Sequence, residues 1–155
     1  MTNPDVRPPA RPLDAATARR SILAQHQRLR ELLARARSVA DAALDGEVAP
    51  PGAVAAVIGE LLEVMEAHLS FEESVLLPIL IADLPLGPAR ASELETEHRQ
   101  QRAMLSALHR QAAAAPAVPT LATQLMFMTD WLTADMAHEE AGLLAPGALH
   151  DVSSP

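Results

Sequence analysis

Apolar residues recur along this chain in alternating steps of three and four, the spacing that gathers side chains onto one face of an α-helix. Four segments carry the pattern. The first reads Ile22, His26, Leu29, Leu33, Ala36, Ala40, and the second Val54, Ile58, Leu61, Met65, His68, Glu72, Val75. The third reads Ala91, Leu94, His98, Gln101, Leu105, Leu108, and the fourth Leu121, Leu125, Met128, Leu132, Asp135, Glu139, Gly142. Proline and glycine separate them. The first helix is expected from about Asp14, a side chain suited to an N-cap, to Asp45-Gly46. The second follows Pro50-Pro51 and reaches about Ala82, with Pro78 as a place for a kink. The third starts near Pro88 and ends before Pro116. The fourth starts near Pro119, a residue type favoured in a first turn, and ends at about Pro146-Gly147. Four such helices on short connections predict an all-α fold, an antiparallel up-down four-helix bundle over residues 14–147. Residues 1–13 hold four of the thirteen prolines and are expected to be a disordered Pro/Arg-rich tail, and residues 148–155 a flexible C-terminal tail.

The residues that interrupt the apolar seams carry the chemical information. His26, His68 with Glu72, His98, and Asp135 with Glu139 sit where apolar side chains should be. Six such groups buried without partners would be very costly, so they must satisfy one another or bind something. Their heights along the bundle agree. With a rise of about 1.5 Å per residue, His26 lies roughly 33 Å from the first connection, and His68 to Glu72 lie roughly 27 to 33 Å from it. His98 and the Asp135 to Glu139 stretch both fall roughly 28 to 32 Å from the third connection. One level of the bundle therefore holds all six groups. His68 and Glu72, four residues apart, point from one helix face to the same place. Imidazole and carboxylate together suit iron, manganese or zinc, and suit calcium or copper(I) poorly.

The segment from His68 to Pro78 also aligns with the segment from Asp135 to Pro146. Each begins with a His or Asp four residues before a Glu-Glu pair, and one lone His (His26, then His98) precedes each unit. Two helical hairpins would thus bracket a metal site with approximate two-fold symmetry.

Composition narrows the reading. Cysteine is absent, which removes disulfides, thiolate ligands and thiol nucleophiles, so any metal must be held by His and carboxylates. The formal charge of −8 argues against a nucleic acid or an anionic membrane as partner. Only Phe71, Phe127 and Trp131 are aromatic, which leaves Ala, Leu and Val to fill the core and favours helices over sheets. The N-terminal stretch has no apolar run of the kind a secretory signal needs, and the uncharged stretch from Gln111 to Thr129 is broken by Pro116 and Pro119. The expected location is the cytoplasm.

At these residues the chain resembles the hemerythrin-like, or HHE cation-binding, family, whose pattern is a lone His, H-x-x-x-E, a second lone His and a second H-x-x-x-E. Here the pattern reads His26, His68/Glu72, His98 and a final pair ending at Glu139, over about residues 17 to 146. The resemblance implies a hemerythrin-like bundle with two iron ions under an oxo or hydroxo bridge, Glu72 and Glu139 bridging them, and His26, His68 and His98 as terminal ligands. Zinc or manganese would suit similar ligands. The departure is on the fourth helix, where Asp135 stands at the position of the second pair's His. Asp135 is read as the terminal ligand there, with His138, one residue before Glu139, as the alternative. An anionic carboxylate in place of an imidazole should favour the ferric state. The expectation is a non-haem di-iron protein that binds or reacts with O2, peroxide or NO. The alternatives are iron or zinc binding for storage, buffering or regulation without turnover, and a metal-free interaction module whose polar seam pairs internally.

Other polar residues have plainer readings. His109 and His150 are read as surface or tail residues, and Arg19, Arg20, Arg28, Arg30, Arg35 and Arg37 as a solvated face of the first helix. Glu73 and Glu140 are read as solvated charges, with support of the ligands as the alternative. Gln101 would bond a backbone group or orient a ligand. Met65, Met128 and Met136 are read as core filler.

Overall fold

The computed structural model describes residues 13–46, 50, 52–84, 86–114 and 116–149. It contains four helices, α1 (Ala15–Leu44), α2 (Ala53–Asp83), α3 (Gly87–Ala113) and α4 (Val118–Ala141), arranged as a four-helix bundle. Among neighbouring pairs, α2 packs most closely on α3 and α1 on α4, whereas α3 and α4 approach each other least. No helix among the described residues is long and apolar enough to cross a membrane. The expected tails lie outside the described residues, apart from Leu13, Ala148 and Leu149.

Local chemistry sets the helix ends. Asp14 caps α1, its carboxylate accepting from the Thr17 N–H at 2.7 Å and from the Thr17 hydroxyl at 2.9 Å. The turn into α3 depends on Gly87, because a Cβ there would stand 1.9 Å from the Leu80 carbonyl oxygen. Pro78 removes a backbone donor inside α2, yet the helix continues to Asp83.

The fourth helix ends earlier than the sequence pattern suggests. It stops at Ala141, and Gly142 leaves helical geometry at φ −104, ψ −91. The chain then turns so that Leu144 is buried against the core, with its carbonyl accepting from Arg19 Nε at 2.5 Å. Burial of one large apolar side chain contributes about 1.5 to 3 kcal/mol, enough to favour the turn over another helical residue or two.

Two apolar clusters fill the interior. The larger includes Leu29, Leu33, Ile58, Leu61, Met65, Leu69, Leu105, Leu125, Leu132 and Met136. The smaller holds Ile22, Leu76, Leu77, Leu80, Ala91, Leu94 and Leu144, with Leu149 packed against it. The seam shifts at two places relative to the strict heptad reading. Leu76 is buried where Val75 was expected, and Met136 is buried while Asp135 is half-exposed. A straight α-helix turns 3.6 residues per turn, so a 3.5-residue seam drifts about 20° per heptad and the inward position moves on by one.

Candidate metal centre

Between the two apolar clusters lies a polar layer. Ile22 and Leu29 flank His26 on α1, and Leu69 and Leu76 flank Glu72 on α2. Leu94 and Leu105 flank His98 on α3, while Met136 and Leu144 flank Glu139 at the end of α4. His26, Glu72 and His98 are fully buried, His68 is 4% exposed and Glu139 7% exposed. Such groups cannot rely on water, so their partners decide what the layer does.

Four of them form one group. His26, His68, Glu72 and Glu139 each offer a ligand atom, and those atoms all lie within 4.8 Å of one another. His26 Nε2 is 3.3 Å from Glu139 Oε2 and 3.9 Å from Glu72 Oε1, while His68 Nε2 is 3.6 Å from Glu72 Oε1. The His26 and His68 rings meet edge to face, with centroids 5.0 Å apart. His98 joins from α3, its Nε2 3.1 Å from Glu72 Oε2. Three imidazole nitrogens thus face two carboxylates.

The outward nitrogen of every ring is also engaged. His26 Nδ1 meets Glu140 Oε1 at 2.9 Å, His98 Nδ1 meets Glu73 Oε1 at 3.1 Å, and His68 Nδ1 meets Gln25 Oε1 at 3.0 Å. Carboxylate and amide oxygens only accept, so each Nδ1 carries the hydrogen, and in a neutral ring Nε2 is left as a bare lone pair. Bare nitrogens facing carboxylate oxygens at these distances repel unless a cation stands between them. His26 Nε2 and Glu72 Oε1 are buried and have no hydrogen-bond partner among the described residues, although His26 Nε2 stands 3.3 Å from Glu139 and 3.9 Å from Glu72. These orphaned atoms and the N/O donor set fit a metal ion of the iron, manganese or zinc type.

Electrostatics without metal show where protons would take its place. Burial alone would lower the His26 pKa, but the Glu139 and Glu140 carboxylates raise it above its ordinary value. His98 behaves alike, burial being outweighed by Glu72 and Glu73. For His68 burial prevails and, with the positive charge of His26, pulls the pKa down to about 4. Asp135 is pushed up to about 6, first by burial and then by the charge of Glu139.

On the fourth helix the two candidates part. Asp135 accepts a hydrogen bond from Gln101 Nε2 of α3, so Gln101 bonds a side chain rather than a backbone group. His138 is exposed, and it lines a cavity of about 240 Å³ between α3 and α4 together with Glu97 and Glu139. Neither belongs to the four-residue group.

Several plainer readings change. Glu73 and Glu140, expected as solvated charges, are half-buried and hold the outer nitrogens of His98 and His26. The repeated Glu-Glu pair was the signal for this, but only the helix rotation shows which way the second Glu turns. The arginines of α1 are not simply solvated, because Arg30 pairs with Glu140, Arg35 with Glu60 and Arg37 with Asp130. Gln25 was missed. It lies one residue before His26, and no periodicity marks a residue that reaches across to a neighbouring helix. His109 is exposed as expected, Met65, Met128 and Met136 are buried in the core, and His150 lies outside the described residues.

The family model of the hemerythrin HHE cation-binding domain matches residues 17–145, from the first turn of α1 to just beyond α4. No curated protein and no solved structure matches the chain.

Proposed function

Since the chain belongs to the hemerythrin HHE cation-binding domain family, we propose that its polar layer holds two non-haem iron ions and binds or reacts with O2, peroxide or NO. The observation that carries this reading is the set of three Nε2 atoms facing two carboxylates in a layer closed above and below by apolar side chains. His26, His68 and His98 would be terminal imidazole ligands, and Glu72 and Glu139 the carboxylates shared between the metals. Asp135 is taken as the helix-four ligand. Its hydrogen bond from Gln101 leaves the second carboxylate oxygen for a metal, and a bound cation would offset the burial and the neighbouring Glu139 charge that raise its pKa.

Bound iron would supply the electrons that binding or reducing such small molecules requires. The protein's own part is positioning and exclusion of water. Gln25, Glu73 and Glu140 fix each imidazole with its Nε2 inward. Leu29, Leu69, Leu76 and Leu94 keep bulk water from the layer. A groove of about 800 Å³ between α1 and α2 reaches Gln25 and His68, with Leu29, Leu32, Val64 and Phe71 among its walls, and offers a small apolar molecule a path inward. Tyrosine is absent, so no phenolate or tyrosyl radical takes part.

The deciding experiment is metal content and the optical spectrum of protein purified aerobically from iron-supplemented cells. About two irons per chain, with charge-transfer bands that change on adding peroxide, are expected. Iron that stays spectroscopically inert to O2, peroxide and NO would favour storage or buffering, and stoichiometric zinc would remove the redox reading.

A further inference from the structure

His26 and His98 are each followed four residues later by arginine, Arg30 and Arg102. Four residues is one helical turn, so each His and its Arg lie on the same face, one above the other. Each pair faces a Glu-Glu doublet on another helix, Glu139-Glu140 on α4 for His26 and Arg30, and Glu72-Glu73 on α2 for His98 and Arg102. The inner Glu of each doublet meets an imidazole Nε2. The outer Glu takes the same ring's Nδ1 on one oxygen and the guanidinium beside it. Arg30 Nη2 reaches Glu140 Oε2 at 2.8 Å. Arg102 grips Glu73 at both oxygens and also holds Glu66, Nε to Oε2 2.9 Å. The same device is therefore built twice, and each copy joins one half of the internal repeat to the other. His68 has no such arrangement, since its Nδ1 rests on the neutral Gln25.

We propose that Arg30 and Arg102 are positioning residues for the metal centre, acting through Glu140 and Glu73 on His26 and His98. The inference rests on the metal reading above. A carboxylate beside a metal cluster could swing inward and bind the metal itself. A guanidinium holding one of its oxygens, or both, prevents that and keeps an accepting oxygen on Nδ1. The arginine also cancels the charge of the outer Glu, so each ring is oriented without adding net negative charge to a layer that already holds Glu72, Glu139 and Asp135. Half-buried, networked pairs of this kind also steady a fold, so the role is separated from that of a strut by its effect on the metal and not by stability. Outer partners of ligating histidines typically govern metal affinity by roughly 10- to 100-fold.

The test uses the full chain and cobalt(II) as a probe metal, read by competition against a chelator and by the visible spectrum of the cobalt-loaded protein. Urea unfolding of the metal-free chain is measured alongside. Arg30→Met and Arg102→Met should each weaken cobalt binding roughly 10-fold and shift the cobalt bands, while Arg35→Met, which breaks a remote pair with Glu60, leaves both unchanged. Lysine at either position should restore part of the affinity, since a point charge can hold the carboxylate but not fork it. Glu140→Ala, which removes the acceptor on His26 Nδ1, should reproduce the Arg30→Met loss, and the double variant should lose no more than either single one, as two links of one chain do. Unchanged cobalt affinity and spectrum in both Arg→Met variants, with only the urea midpoint moved, would overturn the proposal and leave the arginines as struts. If an arginine variant does not fold, the Glu73→Ala and Glu140→Ala variants carry the same test. A wild-type chain that takes up no cobalt and no iron would overturn the metal reading itself, and this inference with it.

Discussion

Glu72 of α2 and His98 of α3 meet at 3.1 Å, Oε2 to Nε2, both fully buried, while the other oxygen of Glu72 faces His26 and His68 with no hydrogen bond among the described residues. One carboxylate thus stands among three imidazoles from three helices.

That position makes Glu72 the side chain whose charge the layer can least lose. Glu72→Gln keeps its shape and removes the anion. Iron or cobalt affinity should fall by more than the roughly 100-fold upper figure for outer partners, and metal content measured by elemental analysis should drop to one ion per chain or fewer. Two ions retained at wild-type affinity would remove Glu72 from the ligand set.

Gln25 holds His68 by a neutral hydrogen bond at the floor of the α1–α2 groove. Gln25→Ala frees that ring to turn, and metal affinity should weaken about 10-fold. A chelator competition titration reads this directly, and Glu31→Ala, on the rim of the same groove, should have no effect.

Asp135 and His138 are separated by paired variants. Asp135→Asn should lower metal occupancy, whereas His138→Ala, at an exposed side chain, should retain it. The metal-free chain should respond in the opposite sense. The folded pKa of Asp135 is raised from 3.8 to about 6, so its ionisation destabilises the fold as pH rises through that range. Allowing for its partial exposure, Asp135→Asn should stabilise the metal-free fold by about 1 to 2 kcal/mol at pH 7.5, and the gain should vanish below about pH 4. Urea unfolding at several pH values checks both.

Metal binding should also depend on pH in a defined direction. The folded pKa values of His26 and His98 are raised, so in the metal-free chain their protonation adds stability that is complete below about 6.5 and is lost as pH rises through the raised values. His68, depressed to about 4, contributes stability above about 6.5 that is lost as pH falls toward 4. Metal must displace protons from His26 and His98 but not from His68. Affinity should therefore fall on acidification from pH 7.5 to 5.5, with protons released as metal binds, as calorimetry in buffers of different ionisation enthalpy would show.

Gly87→Ala tests the fold alone. Its Cβ would collide with the Leu80 carbonyl, so the α2–α3 turn must shift, and a loss of roughly 2 kcal/mol is expected in thermal or urea unfolding. With saturating metal the chain should recover part of that loss, because binding is coupled to the fold.

Much of this molecule follows from local rules. Helix rise and period depend on neighbours a few residues away, so the four helices, Asp14 as a cap and the shared level of His26, His68, Glu72, His98 and Glu139 are legible along the chain. Where a strict heptad was extended too far, at Val75 and Asp135, the error came from the small mismatch between 3.5 and 3.6 residues per turn accumulating over several turns. The burial of Leu144 beyond α4 is a tertiary contact and left no periodic mark.

The sequence by itself determined which residue types share the polar layer and that no thiolate is among them. Tertiary structure alone decided how they face one another. Which nitrogen of each His turns inward, the bonding of Asp135 to Gln101, the exposure of His138 and the hold of Gln25, Glu73 and Glu140 on the rings all depend on helix rotation and separation. Those are set by how Leu, Ala and Met side chains from four helices pack together, and a rotation of a few tens of degrees, invisible in the spacing of one helix, moves a carboxylate from solvent to the back of an imidazole.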